Sequence, residues 1–135
     1  MRQLRAAEIP AANGHANARG LAGMYAPLAA GGRPLVDAQT LMSMSTVESE
    51  GPDRILIHAT RFAQGFMKSI DGGPRHRAWL GPSDAAFGHV GAGGSLGMAD
   101  PTAGVAIGYA MNRMGDGLLL NERGQSLVDA VYECL

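Results

Sequence analysis

The spacing of glycines between residues 87 and 114 constrains this chain more than any other feature. Glycines at 88, 91, 93, 94, 97, 104 and 108 interrupt an otherwise apolar segment. Residues 86–90 and 105–111 form its two strongest strand patterns, separated by a glycine-dense bend and the pair Asp100-Pro101. His89 stands immediately before the bend. Glycine at such a place lets backbone N–H groups come close to a ligand, because no Cβ holds the ligand away. Much of the functional question is whether Ser95, within that bend, is a nucleophile.

The rest of the chain supplies helices around these strands. Residues 1–15 read as irregular. Asn17 is placed to cap a helix whose Leu21, Met24, Tyr25 and Leu28 recur at helical spacing, and Gly31-Gly32 stops it. Gly20 and Gly23 each cost that helix about 1 kcal/mol against alanine, and Pro27 about 3. It is therefore held by packing or bends at Pro27. Asp37 caps a second, short helix with Leu41, Met42 and Met44. Residues 46–53 read as loop, 55–57 and 62–70 as short strand-like pieces, and 71–83 as loop. Residues 112–117 read as loop, and a closing helix over 122–134 presents Leu127, Val128, Val131 and Tyr132 on one face. Helices, antiparallel strands and a terminal helix make an α+β pattern.

Composition excludes several classes. The 135 residues suit one domain, and 46% hydrophobic against 17% charged residues marks a globular chain. Eleven basic and twelve acidic residues leave a net charge of −1, with no run of like charge, which argues against a nucleic-acid surface. Cys134 is the single cysteine, so no internal disulfide forms; an inert, half-buried thiol is expected there. The start has basic residues but no apolar core of a signal peptide, and no segment approaches the roughly 18 apolar residues of a membrane span. These features favour a cytoplasmic location. No cofactor is expected.

Several motifs are tempting. Gly93-Gly94-Ser95-Leu96-Gly97 matches the G-x-S-x-G nucleophile elbow, which needs a strand turning sharply into a helix. Here the turn leads to Asp100-Pro101 and another strand, and no histidine follows His89, so the order Ser…Asp/Glu…His fails. Gly91, Gly93 and Gly97 miss the dinucleotide-binding spacing by one residue, again with no helix behind them. His15, His58, His76 and His89 show no metal-ligand spacing. The first three read as surface or capping residues, and Glu48 and Glu50 as solvated. Lys68 is the only lysine, and Gly65 stands three residues before it, so no S-x-x-K pair exists. His89 alone reads as an ordinary histidine of a core or sheet surface.

The block 87–114, together with residues 17–25 and 127–132, resembles the C-terminal part of the β-lactamase-related serine hydrolases. The similarity is to family VIII carboxylesterases and class C-like β-lactamase homologues, from about Gly14 to the end. That resemblance implies part of a β-lactamase/transpeptidase-like fold, with antiparallel strands flanked by helices. In the family the nucleophile lies in an S-x-x-K motif, accompanied by a Y-x-N-like tyrosine and by a K-T-G, H-x-G or W-x-G motif on a pocket strand. His89-Val90-Gly91 matches the H-x-G form. The resemblance implies that His89 faces the substrate carbonyl region and that the Ala92 N–H is half of an oxyanion hole. It also implies that Gly91 lets the strand approach the substrate, and that valine in place of threonine at Val90 leans toward esters.

S-x-x-K and Y-x-N, which precede this segment in the family, do not occur in this sequence. The resemblance thus implies a segment carrying the pocket strand without the nucleophile. Its partner would be a small ester or amide substrate once completed by an N-terminal half, and exposed strand edges would favour self-association. The alternatives are a non-catalytic binding or structural module reusing this half-fold, and a hydrolase using Ser95 in another geometry.

Overall fold

A computed structural model of the chain describes residues 2–70 and 79–135. Its centre is a three-stranded antiparallel sheet in the order β3 (Phe87–Val90), β4 (Leu96–Asp100), β5 (Val105–Tyr109). The predicted strands are present, but they are not neighbours. The chain between them contains a full strand, β4, where the sequence suggested only a bend. β4 pairs His89 with Gly97 on one side and Gly97 with Gly108 on the other. Its residues are all buried despite the glycine, because a helix fills the space that a side chain would take.

That helix is α2 (Ala18–Ala29), which crosses β4 and β5. Alternate strand residues point to opposite faces, so the register of the pairing places Phe87, His89, Gly97, Ala99, Ala106 and Gly108 on the α2 side. A Cβ on Gly97 would overlap the Tyr25 ring, and one on Gly108 would overlap the α2 backbone at Ala18 and Ala22. Tyr25, Leu28 and Ala29 form a small core there with Phe87 and Ala99. Asn17 caps α2 by accepting the Gly20 N–H at 2.8 Å, as its sequence position predicts. The helix continues through Pro27, held by this packing, while Met24 points to solvent.

The opposite face is covered by α4 (Glu122–Glu133) and the segment before it. Val90, Leu96, Met98, Leu119, Leu120 and Val128 are buried together, joined by Met67, Ile70 and Leu80. Each such side chain contributes about 1.5–3 kcal/mol by leaving water. Within α4, Gly124, Gln125 and Val128 face the core, whereas Leu127 is largely exposed and Cys134 is exposed. The expected apolar face is thus rotated, and the expected half-buried thiol is at the surface. Gln125 explains part of this, because its amide exchanges hydrogen bonds with the Trp79 backbone N–H and C=O.

The remaining elements are peripheral. A short helix, α1 (Arg2–Ala6), lies within the stretch expected to be irregular. α3 (Ala38–Ser45) starts at Asp37, whose carboxylate accepts the Thr40 N–H at 2.7 Å and is held below its usual pKa by that bond. β1 (Ser49–Pro52) and β2 (Ala59–Phe62) form an antiparallel hairpin, so part of the expected loop is strand. The expected strand at 55–57 is instead the hairpin's turn. Asp53 accepts the N–H groups of both Ile55 and Leu56, and this local bonding overrides the β propensity of the isoleucines. Glu50 is exposed, as expected, and also reaches Arg61 across the hairpin at 3.3 Å. Of residues 62–70, only Phe62 belongs to a strand; Met67 bridges both Phe62 and Gly88, so it covers part of the outer edge of β3. Gly72-Gly73-Pro74 and His76 lie outside the described residues. Among the described residues no strand pairs with the outer edge of β5, and no helix is long and apolar enough to cross a membrane.

Candidate functional site

β3 ends in the turn 91–95, which is the glycine bend proper. Gly91 N–H donates to the Ser95 carbonyl at 2.8 Å, and Gly94 N–H donates to the Gly91 carbonyl at 2.9 Å. Gly93 and Gly94 adopt φ values of +85° and +109°, a region that side chains with a Cβ avoid. Ser95 sits in a strand-to-strand turn, so the elbow geometry that activates a serine is missing. A Cβ on Gly91 would overlap Ser95 Oγ. The Ser95 hydroxyl thus occupies the position that a Cβ on Gly91 would take.

His89 is exposed on the α2 side of the sheet, while its neighbours Gly88 and Val90 are buried. Its Nδ1 lies 2.7 Å from the Val90 carbonyl oxygen, which can only accept, so Nδ1–H is the donor of that bond. The Phe62 ring lies against it at 6.2 Å between centroids. Val90 is turned into the core, so its identity presents no group to a ligand beside His89. The Ala92 N–H donates no hydrogen bond among the described residues, and Ala92 is exposed. The structure thus brings His89 and the Ala92 N–H to one end of β3 and directs Val90 elsewhere.

A cleft of about 750 Å³ lies between His58 on the hairpin and residues 115–123. Gly115 and Asn121, both of its wall, also bind the bend: Gly115 N–H and Asn121 Nδ2 donate to the Gly93 carbonyl at 2.9 and 2.8 Å. His58, expected as a surface or capping residue, is half-buried in the wall of this cleft. His15 bonds the Asn13 side chain. Among the described residues, no group of three His, Cys, Asp or Glu side chains gathers as metal ligands would.

Sequence reasoning missed a buried polar cluster at the opposite end of the sheet, where β4 ends at Asp100. Lys68 is 1% exposed and Asp100 0%. The Lys68 ammonium donates to the Asp84 carbonyl. Asp100 accepts from Thr102 N–H and Ala103 N–H on one oxygen and from Tyr132 OH at 2.9 Å on the other. Burial first, then the Arg61 charge, lowers the Lys68 pKa to about 8, against the raising effect of Asp84 and Asp100. Burial and the Asp100 carboxylate push the Tyr132 phenol up. A lone lysine inside the apolar run 66–70 was the available signal.

The chain carries the antiparallel sheet and covering helices of part of the β-lactamase/transpeptidase-like fold. The β-lactamase family model matches residues 1–131. The esterase/β-lactamase LipL of Mycobacterium tuberculosis is 37% identical over 123 residues, which is 86% of this chain and 26% of that protein. Among solved structures, a penicillin-binding protein homologue from Caulobacter crescentus superposes with a TM-score of 0.85 at 37% identity, over 100% of this chain and 36% of that one. A family VIII carboxylesterase superposes at 0.82 and 37% identity, over 99% and 36%. This chain belongs to the β-lactamase family and spans between 26% and 36% of the length of these relatives.

Proposed function

We propose that this chain forms one wall of a serine-hydrolase site of carboxylesterase type, and that the nucleophile is not among its own serines. The observation that carries this reading is the end of β3, where an exposed His89 stands beside an Ala92 N–H with no bonding partner among the described residues. A preorganised N–H stabilises the negative charge that develops on a carbonyl oxygen under attack. His89-Val90-Gly91 then acts as the H-x-G motif, with His89 Nε2 toward the substrate carbonyl region. An ester substrate is favoured by the relatives named as esterases and no longer by Val90, which faces the core.

The turn around Ser95 supports the second part. Its Oγ lies over Gly91 in a hairpin turn, and no histidine follows it in the chain to serve as base. Hydrolysis of p-nitrophenyl butyrate tests the reading. The chain alone is expected to give background turnover. Co-expression with the S-x-x-K and Y-x-N portion of a family VIII relative is expected to restore turnover, and His89→Ala to remove most of it. Full turnover by the chain alone would sink the proposal, and no turnover after complementation would favour a non-catalytic module.

A further inference from the structure

The Asn121 side chain bonds two elements at once. Its Oδ1 accepts the Gly124 N–H at 3.2 Å, which caps α4. Its Nδ2 donates to the Gly93 carbonyl at 2.8 Å, 28 residues away. Capping needs only the acceptor, a role that serine or aspartate fills equally well. The amide donor is therefore a separate device, and it is aimed at the bend.

The backbone of the bend relays that contact. A peptide unit is rigid and planar, and in the trans form its C=O and N–H point in opposite directions. The Gly93 carbonyl, held by the Asn121 amide together with the Gly115 N–H, shares a plane with the Gly94 N–H. That N–H donates to the Gly91 carbonyl at 2.9 Å. The Gly91 carbonyl in turn shares a plane with the Ala92 N–H, which must point the opposite way, out of the turn. Two rigid planes joined by one hydrogen bond thus connect the Asn121 amide to the direction of the Ala92 N–H. The side chain fits because Gly94 and Gly115 leave room for it; a Cβ on either would overlap Asn121. Gly93 N–H to the Gly117 carbonyl, at 3.1 Å, closes the arrangement.

We infer that Asn121 is a positioning residue that aims the Ala92 N–H through the Gly93–Gly94 and Gly91–Ala92 peptide planes. This rests on the proposed role of Ala92 for its catalytic consequence, but not for the clamp itself. Asn121→Ser and Asn121→Asp keep a cap for α4 and remove one of the two donors to the Gly93 carbonyl, leaving the Gly115 N–H. In the 135-residue chain, both variants are expected to melt close to the parent, while amide exchange at Gly93, Gly94 and Gly115 becomes about tenfold faster, as loss of one hydrogen bond implies. In the complemented hydrolase, kcat is expected to fall about tenfold with KM unchanged, the pattern of an interaction made in the transition state. Unchanged exchange at all three amides overturns the clamp. Faster exchange with unchanged kcat overturns its link to Ala92. Where the unsubstituted complemented protein shows no turnover, the hydrolase reading fails while exchange still decides the clamp.

Discussion

Beneath α4 the sheet presents Val90, Leu96, Met98 and Ile107; beneath α2 it presents Gly97, Ala99, Ala106 and Gly108. The first face buries large side chains and is stabilised by apolar area leaving water. The second is stabilised by close approach of backbone, with Tyr25 laid over Gly97 and Gly108 against the first turn of α2. The difference explains two of the seven glycines of this segment, Gly97 and Gly108, which admit a helix packed on the sheet. Gly91, Gly93 and Gly94 instead shape the turn at the candidate site. The difference also sets what each face tolerates: side-chain burial accepts swaps that conserve volume, whereas close backbone approach accepts no added atom.

The strongest attempt to break that contrast is Gly108→Val. The added atoms would meet the α2 backbone, which cannot rotate away, so a loss of about 4 kcal/mol or more is expected in urea melts. A variant melting like the parent would show that α2 is free to lift from the sheet. On the other face, Met98→Ala should cost about 3 kcal/mol through its cavity, while Met98→Leu should cost less than about 1.5. Equal losses for the alanine and leucine variants would show that the α4 face is as intolerant as the α2 face.

The α4 side also holds the charged exception. Because the Lys68 amine ionises at about pH 8 when folded, against 10.5 ordinarily, the unfolded chain binds more protons between those values. Stability therefore rises with pH across that window, and the gain is absent below it. Above pH 10 the raised phenols of Tyr132 and Tyr25 act the other way, since the unfolded tyrosines ionise first. The melting temperature should climb from pH 8 to about 10 and then fall, and Lys68→Met should remove the climb; a flat profile in the parent would contradict this. The smallest effect is expected at Leu127→Ala. Its exposed side chain should leave stability within about 0.5 kcal/mol, whereas a larger loss would place it in the core after all.

What could be read from the sequence divides along local and non-local lines. Asn17 and Asp37 announce their helices because a cap bonds its own chain three residues on. β3, β5 and α4 stand out through their apolar patterns. β4 was hidden because the glycine that interrupts its pattern is required by Tyr25, more than seventy residues before it in the chain (25 against 97). Ile55 and Ile57 look like strand residues, but the short carboxylate of Asp53 captures the backbone first. Within the candidate site, His89 and Ala92 were marked by the resemblance to a known family. Asn121 and Phe62 were not marked, because nothing local in the sequence shows that they meet Gly93 and His89.

The central claim is that the bend carries a pocket wall and that Ser95 is no nucleophile. Incubating the chain with a fluorophosphonate, which phosphonylates activated serines, and measuring intact mass tests this most directly. The account predicts an unchanged mass for the chain alone, and labelling confined to the S-x-x-K serine of the added portion after complementation. An adduct on Ser95 in the chain alone would contradict it.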